Sequence, residues 1–151
     1  MIVKTIKVKK LGIVIASLVA AALFIFLVVY GVAHAYSDEC ISLDTEVLRQ
    51  DFIKDLGWET DGEYTSSKAV TIPVEFGDVY DEYNEIQKEQ GFNLEKYKGK
   101  DVEIYSYEIK NYPGDKKNVF INLITFEGKL IGGDVSSNEL DGFMQGLKKA
   151  G

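Results

Sequence analysis

Asp134 and Asp141 are the residues of this chain whose type and spacing come nearest to chemistry, seven apart within the stretch IGGDVSSNELDGFM (131–144). Two carboxylates flanking a sugar can serve as general acid and general base. A second set, Asp78, Asp81, Glu82, Glu85 and Glu89, crowds one short segment. Asp81–Glu85 and Glu85–Glu89 stand four apart, where like charges on a helix cost about 0.2–0.5 kcal/mol per pair. A bound cation would relieve that repulsion, which makes Asp78, Asp81 and Glu85 metal candidates and calcium the ion to consider. No D-x-[DN]-x-[DN]-G loop accompanies them, so the plainer reading is a solvated acidic face. Tyr105 and Tyr107 share one face of a strand and could stack on a ligand or line an interface. In a small core such rings more often pack against a helix.

Several chemistries are excluded by composition. The single histidine, His34, precedes the folded region, and Cys40 is the single cysteine. A Ser–His or Cys–His nucleophile, a histidine-bearing zinc site and an intrachain disulfide therefore have no residues to build them. Neither G-x-x-x-x-G-K-[ST] nor G-x-G-x-x-G occurs, so nucleotide binding has no support.

The elements that must position the carboxylates follow from pattern. TEVLRQDFIKDLGW reads as a helix capped by Asp44, with Leu48, Phe52 and Leu56 as its stripe, Gly57 as its stop and Trp58 as its lock. AVTIPVEF alternates as a half-buried strand that Pro73 pushes to a sheet edge. DVYDEYNEIQKEQGF repeats the helix grammar with Asp78 as cap, Val79, Tyr83 and Ile86 as its stripe and Gly91–Phe92 as its end. Strands are expected at 102–109, 119–126 and 130–135, joined so tightly that they form an antiparallel meander. Ser136 and Glu139 have capping-box spacing, and Leu140, Phe143, Met144 and Leu147 then fall on one helical face. Gly132 and Gly133 suit a place where other atoms come close. Within 131–144 only Asp134 and Asp141 are left without a structural job.

Upstream of the folded region, LGIVIASLVAAALFIFLVVYGVA (11–33) runs without a charge. As a helix it would be about 35 Å long, against a hydrocarbon core of roughly 30 Å. Four lysines in residues 1–10 place the N-terminus in the cytoplasm and the rest outside. Ala33-His34-Ala35 also fits a signal-peptidase site, so cleavage after Ala35 and secretion is the alternative to a retained anchor. Four of the 17 basic side chains precede the span, leaving 13 against 24 acids, a net −11. Such a surface repels nucleic acid and anionic headgroups.

From Thr45 to about Leu147 the chain resembles a bacterial family known as domain of unknown function 4830. The phrases LGW, VTIPVEFGDVYDEYNEIQKEQGF, YKGK, YSYEIKNYP and IGGDVSSNELDGFM carry the resemblance. It implies a membrane-anchored or secreted protein of Gram-positive bacteria and carries over no catalytic residue.

The expected organisation is a basic n-region (1–10), a membrane segment (11–33), a tether (34–44) and an extracytoplasmic α+β domain (45–151). About four antiparallel strands would carry helices on one face. The expected function is a non-enzymatic module binding a protein or cell-wall partner at the envelope. A carboxylate-dependent hydrolase using Asp134 and Asp141 is the alternative.

Overall fold

The computed structural model describes residues 21–23, 25, 41–114 and 116–149. Of the expected membrane segment only 21–23 and 25 are described, and they are helical. The n-region, the rest of the span and Cys40 lie outside the described residues. Among the described residues no helix is long and apolar enough to cross a membrane.

Residues 40–151 form a compact unit that contains every core residue named below. Its elements are α1 (Glu46–Asp55), β1 (Ser66–Thr71), α2 (Asp78–Glu89), a 3-10 turn (Leu94–Tyr97), β2 (Asp101–Glu108), β3 (Val119–Phe126), β4 (Lys129–Ser137) and β5 (Met144–Gln145). The strands lie in sequence order in one antiparallel sheet of five. With its own sheet and cores enclosed, this unit has what a domain needs to fold alone.

The meander follows the sequence pattern, but the edge strand is displaced towards the N-terminus: β1 occupies 66–71 where AVTIPVEF (69–76) is expected, so Val74 and Phe76 lie beyond it. β3 keeps the expected bounds, and β1 is an edge strand that stops two residues before Pro73. The β3–β4 hairpin turns on Glu127 and Gly128, whose φ values of 50° and 74° fit a two-residue turn matched to strand twist. Both helices end as expected. Gly57 and Gly91 adopt φ of 85° and 88°, and the Trp58 and Phe92 amides reach back to the Ile53 and Gln87 carbonyls. That is the Schellman pattern, which satisfies carbonyls the helix end would leave free.

Both expected N-caps are displaced by one residue. Thr45, not Asp44, caps α1 by accepting from the Leu48 amide at 3.4 Å. Gly77, not Asp78, caps α2 and Asp78 becomes its first helical residue, still beside the positive helix end. The buried stripe of α1 is also turned from Leu48–Phe52–Leu56 towards Arg49 and Ile53. Arg49 can be buried because its guanidinium is satisfied: it donates to Tyr107 Oη at 2.9 Å, the Leu43 carbonyl at 2.8 Å and Glu46 at 3.0 Å. The described part of the tether is tied down too, since Leu43 donates to the Gly128 carbonyl and is itself buried.

Helices cover both faces of the sheet, not one. On the first face α1 packs Ile53 among Tyr107, Ile121, Leu123 and Val135. On the second, Tyr83 of α2 joins Val102, Ile124, Ile131 and Leu94. Alternation along each strand supplies both faces: Ile121 and Leu123 point one way, and Asn122 and Ile124 the other.

The expected C-terminal helix is absent, which is why the strand count is five. β4 runs on to Ser137, the chain turns at 138–142, and β5 pairs back through Met144 and Gln145. Ser136 is paired between Phe120 and Met144 instead of opening a helix. Two glycines explain the preference, since each costs a helix interior about 1 kcal/mol. At Gly142 a Cβ would stand 2.3 Å from the Ser137 carbonyl, so the turn itself requires glycine. Leu140 is fully exposed while Leu147 is buried, so the helix-spaced residues never form one face.

Candidate functional site

The second face of the sheet is organised in rows. Residues opposite one another on neighbouring strands point to the same side, and one row reads Ser66, Ser106, Asn122, Asp134 across β1 to β4. The next row reads Lys68, Ile104, Ile124, Gly132. A polar row thus lies beside an apolar one, and the polar row ends on Asp134.

The polar row is hydrogen-bonded in one direction. Ser106 Oγ donates to Asn122 Oδ1 at 2.6 Å, and Asn122 Nδ2 donates to Asp134 Oδ1 at 2.8 Å and to Ser136 Oγ at 3.1 Å. From above, Tyr83 Oη donates to Asp134 Oδ2 at 2.8 Å. Burial, and then the Asp134 charge, push the Tyr83 phenol well above its ordinary range, so it remains a donor. Asp134 is only 4% exposed. Both of its oxygens accept, a role suited to an ionised carboxylate.

The roof over this floor is α2, and its position is set by two glutamines. Gln87 Oε1 accepts from the Gly133 amide at 2.8 Å. Gln90 Nε2 donates to the Gly133 carbonyl at 3.0 Å, while its Oε1 accepts from the Leu147 amide at 2.7 Å. These side chains satisfy the β4 edge where the two-residue β5 has stopped. Gln87 Nε2 is left buried and unpartnered among the described residues.

The IGGD glycines serve two close approaches, Gly132 that of α2 and Gly133 that of the C-terminal segment. A Cβ on Gly132 would meet Gln87 Oε1 at 2.8 Å, and one on Gly133 would meet the Asn122 carbonyl at 2.4 Å and Leu147 at 2.9 Å. A one-residue irregularity opposite Ile124 and Thr125 precedes them. It lets Ile131 join the second-face cluster next to Gly132.

Pinned to β4, α2 leaves a groove of about 650 Å³ between itself and the β1–β2 side of the sheet. Val70, Ile104 and Ile124 line its floor, Tyr83 and Ile86 its roof, and Asp134 and Ser136 its polar end. Val79, 80% exposed, and Met144, 49% exposed, stand at its rim. Its size and its apolar walls with a few convergent polar groups are those of a ligand pocket.

The sequence-derived candidates separate on this geometry. Asp134 lines the groove, whereas Asp141 is exposed in the 138–142 turn and is not part of its lining. The two carboxylates proposed as acid and base are not brought together. Tyr107 is fully buried against Arg49 and Glu46, and Tyr105 lies under the Arg49 guanidinium at 3.9 Å with its hydroxyl on Glu103. Both rings pack on the α1 face. Asp78 and Asp81 are exposed, and Glu85 pairs with Lys88 at 2.9 Å. Among the described residues no three His, Cys, Asp or Glu side chains converge on a metal position.

Tyr83, Ser106, Asn122 and Ser136 were missed as site residues. The available signal was Asn122, a lone amide within the apolar VFINLITF. Its partners become visible only once strand register is known.

The family described as Domain of unknown function (DUF4830) matches residues 52–135, and the chain belongs to that family. No curated protein and no solved structure matches the chain. The family match spans α2, the groove floor and Asp134, and ends before the turn that carries Asp141.

Proposed function

We propose that this member of the family is a non-enzymatic binding module of the cell envelope, and that its ligand seats in the groove between α2 and the sheet. The observation that carries this reading is the groove itself: apolar walls, an exposed apolar rim and one buried, hydrogen-bonded carboxylate at its end. Hydrolysis by a carboxylate pair needs a second carboxyl group facing the first across the substrate. Of the acidic groove residues, Glu82 is exposed and Asp134 stands at the polar end with each oxygen accepting one hydrogen bond, and the Tyr83 phenol is held protonated. The uncharged run 11–33 supports anchoring by an N-terminal span, with the domain outside.

The test uses residues 41–151 and N-phenyl-1-naphthylamine, a neutral dye that brightens in apolar sites. Saturable brightening is expected, and it should be lost in Ile104→Trp, which fills the floor from a half-buried position, and weakened in the rim variant Val79→Asp. Full brightening in a folded Ile104→Trp would overturn the assignment. The dye would then belong elsewhere, for example the second hollow lined by Phe52, Leu56 and Phe92.

A further inference from the structure

We infer that the groove ligand is a small amphiphilic amine, whose ammonium head pairs with Asp134 while its apolar body lies along Ile104 and Ile124. The inference rests on the groove being a ligand site and adds the charge of what fills it.

A buried carboxylate is costly unless its charge is compensated. Asp134 receives two neutral donors, Tyr83 and Asn122, and none of the ion pairs among the described residues reaches it. The cation lining the groove, Lys68, stands three strand spacings across the sheet, about 14 Å, and two residues further along the strands. The hydrogen bonds run towards Asp134 from both sides, Ser106 to Asn122 to Asp134 and Tyr83 to Asp134, so they concentrate acceptor strength there. A carboxylate offers about four lone-pair sites, of which the protein occupies two. An ammonium supplies donors for the others and the missing positive charge. Ser136, two residues along β4 and on the same face, adds a hydroxyl oxygen beside the head. The adjoining row of Ile104 and Ile124 then accepts an alkyl or aryl body.

Calorimetric titration of residues 41–151 with octylamine, 1-octanol and octanoate at neutral pH tests both layers. Octylammonium should bind about tenfold to a hundredfold more tightly than octanol, because an ion pair of opposite charges replaces a hydrogen bond from a neutral hydroxyl to the same carboxylate. Octanoate should bind most weakly. In Asp134→Asn the amine preference should fall to near parity. Octanol and octylamine binding equally, both blocked by Ile104→Trp, would leave the groove assignment standing and overturn the ammonium. An amine preference that survives in Asp134→Asn would place the head on Glu82 or the general acidic surface, which also overturns it. Octanoate binding best would assign the head to Lys68. Failure of all three probes would remove the groove reading as well. If Asp134→Asn does not fold, the three wild-type affinities and Ile104→Trp still decide.

Discussion

The two faces of the sheet are built from the same strands yet finished differently. On the α1 face, Trp58 stacks on Tyr112 at 5.7 Å and donates Nε1 to the Leu147 carbonyl at 2.7 Å, and Tyr112 stacks in turn on Phe143 at 5.0 Å. The C-terminal segment closes that face over Ile121, Leu123 and Val135. On the α2 face, two glutamines hold the helix to the β4 edge, a smaller cluster of Ile72, Leu94, Val102, Ile124 and Ile131 is buried, and the part towards β1 and β2 opens as the groove. One face spends its apolar surface on stability and the other keeps part of it uncovered. The difference lies in which groups bind the covering element: aromatic and aliphatic side chains spread over an area, or polar side chains gathered at one strand.

Substituting matched isoleucines would break or sharpen that contrast most strongly. Ile121→Trp on the closed face should cost about 3 kcal/mol or more, since a close-packed core yields only with strain. Ile104→Trp should cost less than about 1 kcal/mol, because the ring enters open volume. Urea unfolding of both variants measures the pair, and equal losses would erase the distinction. Trp58→Ala should likewise cost about 3–5 kcal/mol, combining lost packing with the lost Leu147 bond.

Gly132→Ala tests the polar attachment. Its Cβ would meet Gln87 Oε1 at 2.8 Å and Leu94 at 3.2 Å, so a loss of about 1–3 kcal/mol is expected by thermal or urea melting. A neutral result would mean that the α2–β4 approach is looser than these distances.

A smaller effect is read out by pH and has a source on each face, because burial raises the Tyr107 phenol as well as that of Tyr83. Burial and Asp134 raise the Tyr83 phenol above its ordinary value near 10, so the folded state keeps a proton that the unfolded chain releases. The stability contribution is therefore complete below about pH 10 and declines above it, by about 1.4 kcal/mol per pH unit for this one group. Tyr83→Phe should lower stability by about 1 kcal/mol at neutral pH and remove that part of the alkaline slope. An unchanged slope would detach Tyr83 from the buried carboxylate. Smallest of all, Val79→Ser at the rim should change stability by less than about 0.5 kcal/mol.

How legible these features were depends on how local their causes are. Gly57–Trp58 and Gly91–Phe92 signal helix ends through adjacent residues, and both are found as expected. The β3–β4 hairpin is likewise written in its own turn. The segment after Ser136 was misread because apolar spacing of three and four is satisfied equally by a turn and a short strand, and the pairing partners, Phe120 and Gln90, are distant in sequence. The same limit hid most of the site. Asp134 stood out as a carboxylate with no structural role, but Tyr83 looked like one residue of a core stripe, and Ser66, Ser106 and Asn122 share a row only after three registers are fixed. The helices were assigned to one face because their own patterns give a buried side and not which side of the sheet receives it.

The most direct measurement of the central claim, that the α2 face is the binding face and the α1 face the scaffold, is a nitrogen-15 NMR titration of residues 41–151 with 1-octanol. Shift changes confined to Lys68, Val79, Tyr83, Ile104, Asn122 and Asp134, with Tyr107, Ile121 and Trp58 unmoved, are the expected result. Saturable changes centred on α1 and the Trp58–Tyr112–Phe143 stack, with the groove residues unmoved, would contradict it.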